Sequence, residues 1–288
     1  MNQRIKLARK AVTEALRLRK SQDLQLWQAI CVYDLAEMKL GLKVYFDAIP
    51  SMEGMYMNGT PPRIIISALR PAGRMAYTCA HEIGHHILGH GARVDEELAD
   101  IDIDRLDAEE YTAECFAGFL LMPKLAVSHG FAKHGWDITE STPEQFYNVA
   151  GWLGVGYTTL IRHMSSSLKV LPSRHAEGLA KVPLRKIRRS ILKQESKDHL
   201  IVVDQEWFGR PIDIQVGDMV LFEHDIIFEG NCIEPVGSSE RRGAFRAVCP
   251  GIGRCYSKEV EWAEFVRVSR KEYVGQCRYR HLEEPIYE

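Results

Sequence analysis

The pentapeptide His81-Glu82-Ile83-Gly84-His85 constrains this chain most, because it places two histidines one helical turn apart. Side chains at positions i and i+4 share a helix face, so both imidazole rings can bind one tetrahedral zinc ion. Glu82 lies beside the first histidine and is poorly placed to join the ligands. It can instead accept a proton from a water molecule that the metal acidifies. The pattern therefore predicts His81 and His85 as metal ligands and Glu82 as a general base.

A hydrolytic zinc site also needs a third protein ligand and one open coordination position. The extended pattern H-E-x-x-H-x-x-G-x-x-H is not met, because Leu88 and Gly91 occupy the positions of its glycine and its third histidine. On an uninterrupted helix, His86 and His90 lie away from the ligand face. We therefore interpret these two histidines as surface or capping residues.

A glutamate from the next predicted helix, residues 107–122, is the other option for the third ligand. Ala113 and Ala117 form a stripe of small residues that lets this helix approach the first helix closely. The position of Glu110 relative to the stripe favours it modestly, whereas Glu114 is better placed to accept a hydrogen bond from a ligand histidine. The spacing leaves three candidates open, namely Glu109, Glu110 and Glu114.

Composition narrows the class of protein. The chain has 288 residues, of which 45% are hydrophobic and 26% charged, so it can form one large domain or two moderate ones. A net charge of -2 provides no general attraction to nucleic acid or anionic lipid. Seven cysteines without paired spacing, and no apolar run near the ~20 residues of a membrane span, predict a cytoplasmic protein without a membrane partner.

Local patterns predict the elements of the N-terminal half. Pro61 and Pro62 precede a strand and favour a position at a sheet edge, because proline cannot donate to a strand ladder. Residues 50–59 are rich in turn formers, and the acidic segment 93–107 begins as a solvated loop. Gly89 or Gly91 ends the helix that carries the histidines. We predict helices over residues 3–20, 24–39, 74–88 and 107–122, and strands over 42–46 and 63–67.

Farther along, Thr142-Pro143-Glu144-Gln145 has the pattern of a capping box at a helix start. Two short helices are predicted there, over residues 143–152 and 156–166. Residues 172–197 contain eight basic and two acidic residues. The remaining chain is β-rich and predicts a small antiparallel sheet or barrel. Its strand candidates are residues 200–203, 219–222, 225–228 and 260–268.

Two longer stretches resemble one protein family. The sequence Arg74-x-x-Tyr77-Thr78-Cys79-Ala80 followed by the pentapeptide is similar to the signature of ImmA/IrrE metallopeptidases. Residues 110–123, a glutamate followed by a helix that ends in Leu-Leu-Met-Pro, resemble their second motif, and the resemblance covers about residues 25–165. In that family the second-motif glutamate is the third zinc ligand, which maps onto Glu110. The chain departs from the pattern at Glu114, usually asparagine or aspartate, and at Thr112, where an acid is common.

The resemblance implies a zinc-dependent endopeptidase that cleaves a Cro/repressor-type helix-turn-helix transcriptional repressor in a stress-response or mobile-element switch. Tyr77 and Glu114 are candidates to support the ligand histidines. The strand residues Ile64, Ile65 and Ile66 could align a substrate peptide by strand addition. Two alternatives stay open: a non-catalytic, antitoxin-like binding module of the same fold, and a regulator that binds DNA through residues 143–166. DNA binding is the less favoured interpretation of those helices, compared with a structural hairpin.

Together these observations predict an α+β fold. Its parts are a mainly helical zincin-like core with a small mixed sheet, a helix-turn-helix-like pair and a β-rich C-terminal domain. The predicted division is a metallopeptidase domain over residues 1–128, a helix-turn-helix-like region over 129–171, a basic linker over 172–197 and a C-terminal domain of unknown role over 198–288.

Overall fold

The computed structural model describes residues 3–91, 93–96, 107–237 and 243–282, with only the backbone of 93–96. It confirms the α+β class. The chain separates into two compact units. Unit 1 comprises Met1–His129, Leu153–Val155 and Glu272–Arg278, and unit 2 comprises Gly130–Trp152, Gly156–Lys271 and Tyr279–Glu288. The four-part division drawn from composition stays a prediction.

The helices and strands are numbered in chain order. The helices are α1 (Gln3–Ser21), α2 (Val32–Asp34), α3 (Ala72–Leu88), α4 (Ala108–Leu121), α5 (Lys124–Ala132), α6 (Pro143–Leu153), α7 (Tyr157–Arg162), α8 (Ser173–Ala180) and α9 (Leu184–Leu192). The strands are β1 (Lys43–Asp47), β2 (Met52–Met57), β3 (Arg63–Ser67), β4 (Arg93–Glu96), β5 (Leu200–Val203), β6 (Ile212–Gln215), β7 (Met219–Phe222), β8 (Ile227–Glu229), β9 (Ile233–Pro235), β10 (Ala244–Ala247), β11 (Gly251–Tyr256), β12 (Ala263–Ser269) and β13 (Gly275–Gln276).

Unit 1 contains a five-stranded sheet in the order β13-β1-β3-β2-β4. β1 and β3 are parallel, and the other pairs are antiparallel. The prediction that β3 lies at a sheet edge is therefore wrong. Pro61 and Pro62 precede the strand, and the carbonyl of Pro62 accepts a hydrogen bond from the Lys43 amide at 3.0 Å. A proline can thus extend a ladder through its carbonyl, although its nitrogen cannot donate.

The predicted helix over residues 24–39 forms only at its C-terminal end, as α2 and a π-helical turn over Leu35–Lys39. The fully buried Arg19 explains the difference. Its guanidinium donates to the backbone carbonyls of Gln25, Gln28 and Leu120. Leu120 lies in the last turn of α4, where carbonyls lack helical partners. The chain after α1 therefore wraps around one cation instead of forming a helix.

Unit 2 contains two four-stranded sheets, ordered β5-β7-β10-β9 and β6-β12-β11-β8. The β5/β7 and β6/β12 pairs are parallel, so the prediction of an antiparallel sheet is wrong. Because β6 lies in the other sheet, the chain leaves the first sheet after β5 and returns as the parallel β7. The capping box at Thr142 is confirmed, since the Thr142 amide donates to Gln145 Oε1 at 2.8 Å. Residues 172–197, whose basic composition indicates a linker or an exposed helix, contain α8 and α9.

Among the described residues, one helical stretch, Ala108–Ala132, is long and apolar enough to cross a membrane. It consists of α4 and α5, and 61% of its most apolar window is buried inside the protein. Core helices meet the same criteria, so the stretch is weak evidence for a span.

Candidate metal centre

The H-E-x-x-H pentapeptide lies in the second half of α3, on a helix whose centre is buried. His81 is 8% exposed, and Glu82 and His85 are fully buried. The helix ends at Gly89, which adopts the left-handed conformation with φ of +73°. Glycine is favoured there because it has no Cβ to clash. The predicted stop signal at Gly89 is therefore confirmed.

α4 packs closely against α3. Asp107 caps α4 by accepting hydrogen bonds from the amides of Glu109 and Glu110, each at 2.9 Å. The small-residue stripe lies at the helix contact, since Ala113 and Ala117 are fully buried. A Cβ at Gly84 would lie 3.1 Å from Cδ1 of Phe116 and 3.3 Å from Cα of Ala113. The missing side chain at position 84 thus lets the two helix backbones meet.

This contact brings Glu110 to the two histidines. Nε2 of His81 lies 3.0 Å from Nε2 of His85 and 3.2 Å from Oε2 of Glu110, and Nε2 of His85 lies 3.6 Å from Oε1 of Glu110. Ligands at about 2.0–2.1 Å from a tetrahedral ion are about 3.3 Å apart. One donor atom from each of the three residues lies within 4.8 Å of the other two, so the three side chains are close enough to bind one metal ion. Among the described residues, they are the group with metal-binding geometry.

The other two glutamate candidates lie outside this group. Oε2 of Glu114 is 3.7 Å from Nδ1 of His81, on the side of the ring away from the donor atoms. Oε1 of Glu114 accepts a hydrogen bond from the Tyr77 hydroxyl at 3.0 Å. Glu114 and Tyr77 are thus placed to support His81 from behind, as their positions in the motifs suggested. Glu109 contributes no donor atom to the group.

The charge state of Glu110 suits a metal ligand. Burial alone raises the pKa of this carboxyl, but hydrogen bonds and charge interactions with His81 and His85 outweigh burial and hold the pKa well below its usual range. The carboxylate is therefore ionised at neutral pH, which is the form that binds metal. Two imidazoles and one carboxylate are a common ligand set for catalytic zinc.

β2 passes directly over Glu82, a feature that sequence patterns missed because residues 50–59 resemble a turn. A Cβ at Gly54 would lie 2.5 Å from Oε1 of Glu82 and closer still to Cγ2 of Thr78. The neighbouring Glu53 forms ion pairs with Nε of Arg70 and Nε of Arg74, both at 2.8 Å. Arg74 of the first motif thus ties β2 to α3. The short apolar run Met55-Tyr56-Met57 was the available signal.

Two predicted roles near the site need correction. Ile64, Ile65 and Ile66 lie on β3, which pairs with β1 on one side and β2 on the other. Both edges of this strand are occupied, so it cannot add a substrate strand. His90 is not a simple surface residue, because its Nδ1 lies 3.0 Å from Nδ1 of His85. His86 contacts the Tyr56 hydroxyl through Nδ1 at 2.9 Å.

Comparison with protein families agrees with this geometry. Residues 37–165 match the family model described as an IrrE N-terminal-like domain, Peptidase_M78. This region belongs to the ImmA/IrrE family. The match includes α3 with its two histidines and α4 with Glu110, and it supports a metallopeptidase-type function that uses a metal.

More distant comparisons add little. No curated protein sequence matches the chain. A solved structure titled "Mycobacterium tuberculosis transcriptional regulator" matches 55% of this chain at 15% sequence identity, with a TM-score of 0.35. The match covers 46% of that protein, so this chain spans less than half of its length. A likeness at this score carries no argument about function.

Proposed function

We propose that this protein is a zinc-dependent endopeptidase. The observation that carries the proposal is the arrangement of His81, His85 and Glu110 on two packed helices, where one donor atom from each residue lies within 4.8 Å of the other two. A triangle of two imidazole nitrogens and a carboxylate oxygen leaves the fourth tetrahedral position for substrate or water. Zinc bound there would polarise the scissile carbonyl and acidify a water molecule.

The remaining chemistry belongs to Glu82. It follows His81 directly in α3, and its buried carboxylate lies under β2 at Gly54. In the proposed reaction, a Glu82 carboxylate oxygen accepts a proton from the attacking water and delivers it to the leaving amine. A base held between a helix and a strand keeps its position during turnover, which favours proton transfer over a short distance.

We further propose that the substrate is a Cro/repressor-type helix-turn-helix repressor and that cleavage operates a stress-response or mobile-element switch in the cytoplasm. Family membership supports a protein substrate, and the cysteine spacing supports the location. A DNA-binding role for α6 and α7 has weaker support. His163, which directly follows α7, is only 7% exposed and is therefore poorly placed to contact a base. Arg162, the last residue of α7, is exposed.

The proposal is tested by co-expressing the protein with a panel of Cro-type repressors and identifying fragments by mass spectrometry. The wild type should cut one member of the panel at a defined bond. Glu82→Gln should retain zinc yet lose cleavage, and Glu109→Gln, which changes a neighbouring glutamate outside the donor group, should cleave normally. Cleavage at the wild-type rate by Glu82→Gln would refute the general-base role. Stable binding of a repressor without cleavage would favour the binding-module interpretation.

A further inference from the structure

The second ring nitrogen of His85 faces another histidine. Nδ1 of His85 lies 3.0 Å from Nδ1 of His90, and the two rings are tilted by 69° with their centres 5.1 Å apart. The separation is that of a hydrogen bond between the two nitrogens. His90 lies outside the donor group, so its contact with the centre passes through His85.

The helix end explains how His90 reaches this position. On a continuous α-helix, residues 85 and 90 would be about 140° apart around the axis, facing different directions. The left-handed Gly89 ends the helix instead, and the amide of His90 donates to the carbonyl of His85 at 3.0 Å. The chain thereby folds back over the last turn, and the His90 ring returns to His85. The pair therefore depends on the sequence Gly89-His90 following the motif.

The position of the hydrogen on each ring decides which nitrogen donates in this contact and which accepts. A neutral histidine that binds a metal through Nε2 carries its hydrogen on Nδ1. Nδ1 of His85 must then donate, and Nδ1 of His90 must accept, which requires His90 to carry its own hydrogen on Nε2. On the far side of the His81 ring, Oε2 of Glu114 lies 3.7 Å from Nδ1, within ion-pair distance.

We propose that His90 is a positioning residue, which fixes the tautomer and the ring orientation of His85 so that its Nε2 lone pair points at the metal. The inference rests on the proposed metal site and extends it to a residue outside both motifs. Partners of this kind typically change metal affinity by about 10–100-fold when they are removed. His90 would therefore set how tightly the centre holds zinc without touching the ion.

The test measures Zn²⁺ affinity alone, by competition with a chromophoric chelator, in the full-length protein. His90→Phe keeps a ring of similar size but removes the acceptor, and should bind zinc about 10–100-fold more weakly than the wild type. His90→Asn places an amide oxygen as far along the side chain as the lost Nδ1, and should regain most of the affinity. His86→Phe is the matched control, because His86 contacts Tyr56 and no donor residue in the described contacts. It should bind zinc like the wild type.

The outcomes separate the two claims. A wild-type protein that does not bind zinc would overturn the proposed metal site itself. Zinc binding by His90→Phe equal to that of the wild type would overturn the role of His90 while leaving the metal site intact. An equal loss in His86→Phe, or no recovery in His90→Asn, would also overturn it, since neither result fits a hydrogen bond to His85. Thermal unfolding of the metal-free variants checks that each one is folded.

Discussion

Replacing Gly84 by valine should separate α3 from α4 and thereby weaken the metal centre. A Cβ at this position already lies 3.1 Å from Cδ1 of Phe116 and 3.3 Å from Cα of Ala113. Both distances are shorter than ordinary contacts, and the second is to the backbone of α4, which cannot rotate away. Valine adds two further methyl groups, so α4 must move. Overpacking typically costs about 1–3 kcal/mol, against a gain of a few tenths of a kcal/mol in helix propensity.

We therefore expect a net loss of about 2 kcal/mol in the free energy of unfolding of unit 1. For a unit near 150 residues this corresponds to a fall of about 4–8 °C in Tm. A shift of about 1 Å in α4 would also move Oε1 of Glu110 away from Nε2 of His85, which lies 3.6 Å from it. This displacement would lower zinc affinity at least tenfold. Calorimetry of the metal-free protein and a zinc titration measure the two effects separately.

The matched control is Gly178→Val in α8, where a Cβ meets no atom within 4 Å. The same substitution in open space should leave Tm and zinc affinity unchanged or raise Tm slightly. Wild-type stability and zinc affinity in Gly84→Val would refute the reasoning, because they would show that the close helix contact does not place Glu110.

Two further variants test other contacts of unit 1. Gly54→Ala should retain zinc but lower kcat/KM for the cleaved repressor by about 100-fold, since the new Cβ displaces the Glu82 carboxylate by up to about 1 Å. The control Gly59→Ala, whose Cβ meets a single carbonyl oxygen at 3.5 Å, should cleave normally. Full activity of Gly54→Ala would contradict the placement of Glu82. Arg19→Met should lower the free energy of unfolding by about 3 kcal/mol or more in urea titration, because buried carbonyls lose their donor. The exposed Arg17→Met should change it by less than about 0.5 kcal/mol, and equal effects of the two arginine variants would contradict the role of Arg19.

The centre could be anticipated from sequence because its chemistry is local. His81, Glu82 and His85 are fixed relative to one another by one helix, and helical periodicity alone gives their common face. The third ligand was harder, since spacing left three glutamates open and family resemblance selected Glu110. The structure adds the physical reason: Asp107 caps α4, and Gly84 admits Ala113, which together aim Glu110 at the histidines.

The errors arose where a residue responds to distant parts of the chain. The segment after α1 has helical periodicity, yet Arg19 draws its carbonyls into turns by contacts that local patterns do not contain. The prolines before β3 predict an edge strand, although sheet order depends on β1, β2 and the distant β13. His90 was assigned to a helix face, whereas the left-handed Gly89 takes it off the helix. The sequence indicates that Gly89 ends the helix, but it does not indicate that the next side chain, His90, folds back onto His85.

The most direct test of the account is the metal content of purified protein by elemental analysis, comparing the wild type with Glu110→Ala and Glu109→Ala. We predict about one zinc per chain in the wild type and in Glu109→Ala, and loss of zinc from Glu110→Ala, because Glu110 supplies the third donor atom. Zinc retained at the wild-type level in Glu110→Ala, or no bound zinc in the wild type even after zinc is supplied, would contradict the proposed centre.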